Sequence, residues 1–397
     1  MEESFLDLGV MPLANSFLEV EEVTEEEFKC PLSLSYCSVC GLIQLAYVVP
    51  PDLMFSNYLY VSSTTQTFRE HFAGYAKAVK ERVLKKSNIV AVDIGSNDGL
   101  LLACYQREGI KAIGVEPAKN LSDVANYKGL TTINRYFDSE CVEKILRDYG
   151  PADVVSANNV FAHIDNIHAV CQNVQKLLAV KGIFVIEFPY LITMVEKMLF
   201  DMIYHEHLSY ISITALNYLL EKHELEIFQI HQVPSHGGSL RVFIQKRSGG
   251  YKVSKAVALF VMQEERNGYR LRQTYQVFAQ KMARLRGILA KMVMEIKSAG
   301  GSISGYGAPA KANTLINYCG FTRSQIDYIV DDNPLKQGKL SPGAKIPIVS
   351  SSYLTQKPTN YIMIFAWNFA QEIIRKLQRL GSSGVKFIIP LPDPEIV

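Results

Sequence analysis

The sequence has no apolar run of membrane length and no excess of charge of either sign. A membrane-spanning helix needs roughly 20 consecutive apolar residues, which no stretch approaches. The 41 lysine and arginine residues are balanced by 39 aspartate and glutamate residues, so no general attraction to nucleic acid or to a membrane surface is expected. The acidic start, Met1 to Glu3, is unlike a signal peptide. We expect a cytoplasmic protein without a nucleic-acid, membrane or obligate protein partner.

Cysteine is also scarce. Seven cysteines are scattered over 397 residues, which fits a reducing compartment better than a disulfide framework. Only Cys37 and Cys40 are spaced like metal ligands. A tetrahedral zinc site needs four ligands, and Cys30, the candidate for a third, lies in a strand-like context. The pair is therefore predicted to be a half site.

The chain is long enough for two or three domains, and its pattern divides it into four stretches. Two of them alternate strand-like apolar runs with helix-length segments, which predicts α/β folds with parallel sheets. The predicted divisions are a truncated zinc-binding-like module at 1–57, the main α/β domain at 58–250, a helical connector at 251–298 and a smaller α/β domain at 299–397.

A glycine-containing turn follows the first strand of the main α/β domain, in VAVDIGSNDGLLL. Glycines there permit close approach of a ligand, and the following helix offers amide donors. Glu116 ends the next strand about 20 residues later, where a carboxylate can accept from ribose hydroxyls. The turn lacks the GxGxxG pattern of NAD sites, which favours S-adenosylmethionine (SAM), and an ordinary turn stays open as an alternative. The candidate cofactor residues of this turn are Asp93, Gly95, Asn97 and Gly99.

More polar residues follow the fourth strand-like run, ADVVSANN. Asn158 and Asn159 are expected at the same edge of the sheet, near the methionine part of SAM, or else as loop caps. His163, four residues later, could project over the methyl group, although a single histidine is more often structural.

Tyr204-His205-Glu206-His207 is a cluster of proton-transfer groups. Tyr204 and His207 would share a face if the segment were helical, and Glu206 could orient a histidine, stabilise its charge or bind a substrate hydroxyl. The spacing is not HExxH, which excludes a zinc peptidase. A polar surface turn is the alternative.

A second strand-to-helix glycine turn, GYGAPAK, begins the last hundred residues. Gly305, Gly307 and Lys311 suit a diphosphate, and Asp331 after the next strand could meet a ribose or a base. His236, before the strand SLRVFIQ, could line a sugar pocket or only form part of a turn. An NAD site would use similar parts, so this turn alone is ambiguous.

Seven segments resemble, in order, the SAM-dependent sugar C-methyltransferases that act on nucleotide-linked 4-keto-deoxysugars, such as the enzymes of mycarose and tetronitrose biosynthesis. The resemblance covers nearly the whole chain and implies an N-terminal zinc-binding module, a central class I SAM-methyltransferase-like Rossmann domain and a C-terminal Rossmann-like α/β domain that holds the nucleotide sugar. The segments are IGSNDGLLL, GVEPA, ANNVFAHIDN, EFPYL, FDMIYHEHLSY, SHGGSLRV and GYGAPAKANTLIN.

The resemblance implies methylation of carbon 3, next to a ketone at carbon 4, through an enolate, with thymidine diphosphate (TDP) as the favoured nucleotide. His207 is the candidate general base, and Tyr204 is the candidate acid or hydrogen-bond donor to the enolate oxygen. Which of the two takes the proton stays open. By resemblance, Tyr58, His163 and Glu206 complete the pocket.

The start of the chain departs from the family. Members carry a first CxxC pair just before a segment like FLDLGVMPLANSFL, whereas here Phe5 follows Met1 almost directly. Either the sequence starts late or the metal has been lost, and we expect no stable zinc in the chain as it stands.

Three other functions stay open at this level. An O- or N-methyltransferase on a nucleotide sugar would exchange no carbon-bound proton. A non-catalytic protein that binds SAM and sugar would not need Tyr204 and His207. An NAD-dependent nucleotide-sugar dehydrogenase or epimerase would bind NAD in preference to SAM.

Overall fold

The computed structural model describes residues 3–24, 26–55, 61–64, 66–83, 88–379 and 384–397. Tyr58, a predicted site residue, lies outside them. The described strands form three sheets of four, seven and six strands. These strands are β1 (Leu6–Pro12), β2 (Lys29–Tyr36), β3 (Ile43–Leu45), β4 (Val90–Ile94), β5 (Lys111–Val115), β6 (Thr132–Ile133), β7 (Ala152–Asn158), β8 (Leu178–Pro189), β9 (Ser209–Tyr210), β10 (Leu225–Val233), β11 (Ser239–Lys246), β12 (Ile303–Tyr306), β13 (Ile329–Val330), β14 (Ile348–Val349), β15 (Tyr361–Ile364), β16 (Lys386–Ile389) and β17 (Glu395–Ile396).

Helices cover the sheets and join them. Short 3₁₀ helices also occur, of which Phe161–His163, Phe200–Met202, Ser235–Gly237 and Trp367–Phe369 lie near candidate site residues. The α-helices are α1 (Pro51–Phe55), α2 (Gln66–Arg82), α3 (Leu100–Arg107), α4 (Lys119–Tyr127), α5 (Ser139–Tyr149), α6 (Ile167–Leu177), α7 (Leu191–Glu196), α8 (Ile213–Glu221), α9 (Lys255–Arg266), α10 (Arg272–Ser298), α11 (Ala310–Cys319), α12 (Tyr353–Gln356) and α13 (Ala370–Arg379).

The central sheet has the order β10-β11-β8-β7-β4-β5-β6. Strands β8, β7, β4, β5 and β6 are parallel, and β11 is antiparallel to both β8 and β10. The inner strands are apolar almost throughout, because helices cover both of their faces. Chain order reverses beside β4, and ligands of open α/β sheets bind at such a reversal, beyond the carboxyl ends of the strands.

The C-terminal sheet repeats this arrangement on a smaller scale, with the order β14-β13-β12-β15-β16-β17. Its strands are parallel except β17, and chain order reverses beside β12. The predicted helical connector is two helices, α9 and α10, separated at Gly268, whose φ is +75°. A residue with that backbone conformation cannot continue an α-helix.

The N-terminal strands pack against both of the other regions. Strand β3 pairs with β9, which lies just after the Tyr204–His207 segment. Asn313 Nδ2 on α11 donates to the carbonyl of Ala14 at 2.6 Å, and Thr314 Oγ1 on the same helix donates to the carbonyl of Ile203 at 3.0 Å. Consequently the Tyr204–His207 segment lies where the three regions meet.

Candidate active site

The first glycine turn is shaped by the protein's own packing. Gly95 and Gly99 have φ values of 66° and 82°, which residues with a side chain rarely adopt. A Cβ on Gly95 would lie 2.7 Å from Cγ2 of Val160, and one on Gly99 would lie 2.4 Å from Cδ1 of Leu130. The two glycines are therefore required to close the turn, in addition to any ligand approach that they permit.

Glu116 holds this turn from the end of β5. Its Oε2 accepts a hydrogen bond from the backbone N–H of Asn97 at 2.8 Å, and its Oε1 accepts one from Ala118 at 2.9 Å. Burial raises the pKa of the Glu116 carboxyl, and the two amide hydrogen bonds oppose that rise. Each carboxylate oxygen keeps a second lone pair, so a ribose hydroxyl can still donate to Glu116.

Asp93, Asn158 and Asn159 lie at the ends of the neighbouring strands. Ser156 Oγ donates to Asp93 at 2.6 Å, and burial raises the pKa of Asp93 to about 7. Both side-chain polar atoms of Asn158, and Oδ1 of Asn159, are buried without a hydrogen-bond partner in the part of the chain that the structure describes. Buried polar atoms rarely stay unpaired. These atoms at the cofactor edge fit a polar ligand such as the amino-acid end of SAM.

The Tyr204–His207 segment is a turn, not the helix under which Tyr204 and His207 would share a face. It connects the 3₁₀ helix Phe200–Met202 to β9, and the pairing of β9 with β3 needs extended backbone there. The turn is closed by a hydrogen bond of 2.9 Å from the N–H of His207 to the carbonyl of Tyr204. It still brings the two side chains together, with Tyr204 Oη 2.6 Å from His207 Nε2.

The carbonyl of Met202 fixes the state of His207. His207 Nδ1 lies 2.7 Å from this oxygen. Because a carbonyl can only accept, Nδ1 carries the proton, and Nε2 of the neutral ring is the acceptor. The Tyr204 hydroxyl then donates to Nε2. The tautomer assigned by this network leaves Nε2 as the nitrogen that can take up a proton.

His163 lies close to His207, in the 3₁₀ helix that follows β7. The two ring centroids are 5.0 Å apart. Both histidines line one small cavity, and Asn159, from the cofactor edge of the central sheet, lines it too. This cavity thus connects the predicted cofactor edge to the predicted base.

Glu206 points towards the N-terminal and C-terminal regions. Its Oε1 accepts a hydrogen bond from Nδ2 of Asn15 at 2.6 Å. Lys336 is buried beside Glu206 and Asp331, and its Nζ donates to the carbonyl of Ala308 at 2.8 Å. Burial lowers the pKa of Lys336, and the carboxylates of Asp331 and Glu206 oppose that shift. No local sequence signal marks Asn15 or Lys336, because each reaches the site from a distant part of the chain.

The second glycine turn, between β12 and α11, is held by Asp331. Its Oδ2 accepts from the N–H of Ala308 at 2.6 Å, and its Oδ1 accepts from Asn333 at 2.8 Å. Gly305 packs against Phe365, and Gly307 has a φ of 88°. Asp331 therefore shapes the predicted diphosphate turn through the backbone.

Lys311, the other candidate of this turn, lies between the central and C-terminal regions. Its Nζ donates to Oδ1 of Asn368 at 2.6 Å and lies 4.1 Å from the centroid of the Trp367 ring. Burial lowers the pKa of Lys311 to about 8, and the carboxylate of Asp201 opposes that shift. Trp367 Nε1 in turn donates to Oδ2 of Asp201 at 2.5 Å. The sequence reasoning missed Asp201, although it lies within the FDMIYHEHLSY segment, and missed Trp367, the one tryptophan of the chain.

The 3₁₀ helix Ser235–Gly237 contains the backbone of His236 and packs beside Trp367. A Cβ added to Gly237 would lie 3.1 Å from Cη2 of Trp367. The SHGG segment consequently borders the same junction as Lys311 and Asp201.

Cys37 and Cys40 lie in the turn between β2 and β3, where the N–H of Gly41 donates to the carbonyl of Cys37 at 2.8 Å. Cys30 is buried in β2 against Leu13 and Val49. Within the described ranges, no three His, Cys, Asp or Glu side chains are grouped so that they could hold a metal ion. These side chains do not fit a four-ligand zinc site, and the absence of stable zinc stays a prediction that elemental analysis of the purified protein would test.

None of the helices in the described part of the chain is long and apolar enough to cross a membrane.

Three family models match consecutive parts of the chain. Residues 1–55 match the description "Putative zinc binding domain", residues 67–230 match "Methyltransferase domain", and residues 234–392 match "C-methyltransferase C-terminal domain". The C-methyltransferase NovU of Streptomyces niveus is 35% identical over 392 residues, which cover 99% of this chain and 93% of that protein.

Two similar solved structures each cover less than half of the chain. A SAM-dependent methyltransferase of Clostridium acetobutylicum ATCC 824 is 11% identical, with a TM-score of 0.36 over 46% of this chain and 93% of that one. The magnesium protoporphyrin IX methyltransferase ChlM of Synechocystis PCC 6803, with bound SAM, is 12% identical, with a TM-score of 0.33 over 45% of this chain and 77% of that one. The strand orders and the family models, not these low scores, confirm the predicted α/β fold class.

Proposed function

This chain belongs to the family of SAM-dependent C-methyltransferases, and on that premise we propose that its methyl acceptor is carbon 3 of a nucleotide-linked 4-keto-deoxysugar. Thymidine diphosphate is the proposed nucleotide, and the reaction would belong to deoxysugar biosynthesis. The enzyme's activity class and its cofactor follow from the family. The sugar, the carbon and the nucleotide are the proposal.

One observation carries the proposal: the hydrogen-bonded chain from Met202 through His207 to Tyr204. The carbonyl of Met202 fixes the proton on Nδ1, so Nε2 of His207 carries the lone pair that a general base needs. Tyr204 Oη lies 2.6 Å from that nitrogen. When substrate enters, the Tyr204 hydroxyl would turn from Nε2 to the ketone oxygen, leaving Nε2 to take the proton and donating to the oxygen that becomes negative. A base next to an oxyanion donor is the pairing that enolisation of a ketone requires.

The chemistry explains why a base is needed. When bound, SAM would supply a methyl group attached to a positively charged sulfur: the methyl carbon would accept the electron pair of an anionic carbon, and the bond to sulfur would break to release neutral S-adenosylhomocysteine. A sugar carbon becomes such a donor only when it loses a proton beside a ketone. In the proposal His207 takes the proton from carbon 3, Tyr204 donates to the oxygen on carbon 4, and His163 and Glu206 border the reacting sugar. The proposed role of Tyr58 rests on the family resemblance.

The two ends of the site suit the two ligands. The cofactor is proposed to lie against the first glycine turn, with Glu116 on its ribose and Asn158 and Asn159 near its methionine part. The nucleotide diphosphate is proposed to lie on the second turn, against Gly305, Gly307 and Lys311, with Asp331 shaping that turn and His236 near the sugar. The cavity lined by Asn159, His163 and His207 supports a methyl transfer between them.

Deuterium exchange tests the proposal. The protein is incubated in deuterated water with TDP-linked 4-keto-deoxysugars, first with S-adenosylhomocysteine and then with SAM. We expect deuterium to enter carbon 3 in the first incubation and a new carbon-bound methyl group to appear there in the second. The variant His207→Asn should lose both signals.

Two outcomes would revise or overturn the proposal. A C4 ketone acidifies carbon 5 as well as carbon 3, so exchange and methylation at carbon 5 would move the assignment to the other neighbouring carbon. Methyl groups found only on oxygen or nitrogen, without exchange at carbon, would overturn the enolate route.

A further inference from the structure

The carbonyl that orients His207 belongs to a short 3₁₀ helix, Phe200–Met202, in the central region. Met202 provides that carbonyl, at 2.7 Å from Nδ1 of His207. A shift of this helix would therefore move or release the proposed base.

The C-terminal region binds the residues on both sides of Met202. Trp367 Nε1 donates to Oδ2 of Asp201 at 2.5 Å. Thr314 Oγ1, on α11, donates to the carbonyl of Ile203 at 3.0 Å. Three successive residues thus have separate partners: the outer two are held by the C-terminal region, and the middle one holds His207.

Asp201 is an unusual residue for a purely structural contact. Asp201 is 1% exposed, and its Oδ1 has no partner in hydrogen-bond geometry within the part of the chain that the structure describes. Burial raises the pKa of its carboxyl, and Lys311, Trp367 and the backbone N–H groups of Asp201 and Met202 oppose that rise. A buried carboxylate oxygen without a partner is destabilising, and a neutral side chain would form the contact with Trp367 at lower cost. Asp201 also lies within the electrostatic reach of Lys311. Asp201 consequently links Lys311, of the predicted diphosphate turn, to the segment that contains His207.

We propose that Asp201 is a positioning residue for methyl transfer. Trp367 holds Asp201 and Thr314 holds Ile203, and these two hydrogen bonds keep the Met202 carbonyl in contact with Nδ1 of His207. The inference rests on the proposed role of His207 as the base. It assigns the C-terminal region a second role besides binding the nucleotide. That role is to set the tautomer and the orientation of the His207 ring.

Two substitutions remove the two contacts, Thr314→Val at nearly constant volume and Trp367→Phe with loss of one ring of the indole. Trp367→Phe deletes the Nε1 donor, and Thr314→Val deletes the hydroxyl. With a misplaced base, we expect turnover of the TDP-sugar that the wild type methylates to fall by about 10- to 100-fold, while the dissociation constant for SAM stays within about twofold. Asp201→Asn keeps a carbonyl oxygen for Trp367 and should restore most of the turnover that Asp201→Ala loses. Thr355→Val removes a similar hydroxyl-to-carbonyl bond of the C-terminal region, from Thr355 Oγ1 to Ser352, and should change nothing.

The decisive measurement needs no substrate. In protein labelled with ¹⁵N-histidine, with the signals of His207 assigned by their loss in His207→Asn, the wild type should show a proton on Nδ1 alone. In Trp367→Phe and Thr314→Val the two ring nitrogens should move towards the averaged shifts of exchanging tautomers. Thermal unfolding and circular dichroism establish that each variant is folded.

Unchanged ring-nitrogen shifts in both folded variants would overturn the inference, whatever happens to turnover. If no TDP-sugar is methylated even by the wild type, the proposed function fails, yet the ¹⁵N signals still decide the positioning of His207.

Discussion

The two glycine turns of this molecule are held by the same arrangement of hydrogen bonds, although we propose different ligands for them. In each, a carboxylate after the second strand accepts the N–H of a residue in the preceding turn and the N–H two residues after itself. Glu116 does this for Asn97 and Ala118, and Asp331 does it for Ala308 and Asn333. A carboxylate with two backbone donors fixes the shape of a turn independently of what the turn binds.

The cations near the turns differ. The second turn has two buried or partly buried lysines, Lys311 and Lys336, while Lys128 beside the first turn is bonded to Asp98. A diphosphate is negatively charged and needs positive charge nearby. SAM already carries a positive sulfur, so an unpaired lysine would repel it. In the proposal both turns bind ligands, and the side chains near the turns would separate the two ligands. Four measurements test this distinction.

The largest effect is expected at His207, which lies between the two turns. We expect His207→Asn to lower methyl transfer by about 10²- to 10⁴-fold, because a positioned general base contributes that much. Binding of SAM and of TDP, measured by calorimetry, should stay within about twofold of the wild type. His223→Asn, which removes an exposed histidine paired with His168, is the matched control and should keep full activity. Unchanged turnover in both His207→Asn and Tyr204→Phe would show that the acid/base assignment is wrong.

The next effect is specific to the second turn. Lys311→Met should weaken TDP binding by about 10- to 100-fold, since a hydrogen bond to a charged group is worth about 1.5–3 kcal/mol. SAM binding should not change. Lys128→Met, near the first turn, should leave TDP binding as it is. Equal loss from the two lysine variants would mean that general positive charge, and not Lys311, attracts the nucleotide.

A smaller effect is expected from the carboxylate of the first turn. Glu116→Gln keeps one acceptor and loses the other, which should weaken SAM binding by about tenfold and spare TDP. Asp331→Asn should do the reverse. If either variant weakens both ligands equally, the two turns do not act as separate sites.

The smallest effect is a dependence of TDP binding on pH. Burial lowers the pKa of Lys311 to about 8, in spite of Asp201. The ammonium is therefore charged below this pH and neutral above it, so TDP affinity should fall severalfold as the pH rises from about 7.5 to 9.5. SAM affinity should stay level over that range, and Lys311→Met should make TDP affinity level as well. TDP binding that strengthens with pH would contradict the assignment.

The sequence was sufficient for most elements of the two α/β regions, and it supplied candidate site residues whose roles stay predictions. Their strands are apolar runs bounded by turns, a pattern that is local, and the candidate residues adjoin those runs. It left open the conformation of the Tyr204–His207 segment, where pairing of β9 with β3 imposes a turn, and it did not locate the break at Gly268 between α9 and α10. It also gave no sign of Asn15 and Lys336 beside Glu206, because these contacts join residues far apart in the chain.

By itself the sequence determined the family, the cofactor and the candidate chemistry, because the residue types that bind SAM or move protons lie in short contiguous segments. The tertiary structure alone decided how these groups are set. The Met202 carbonyl gives His207 its tautomer, and residues more than a hundred positions away, Thr314 and Trp367, hold the backbone beside that carbonyl. A hydrogen bond depends on distances of a few tenths of an ångström between groups that folding brings together. Spacing along the chain does not specify such distances.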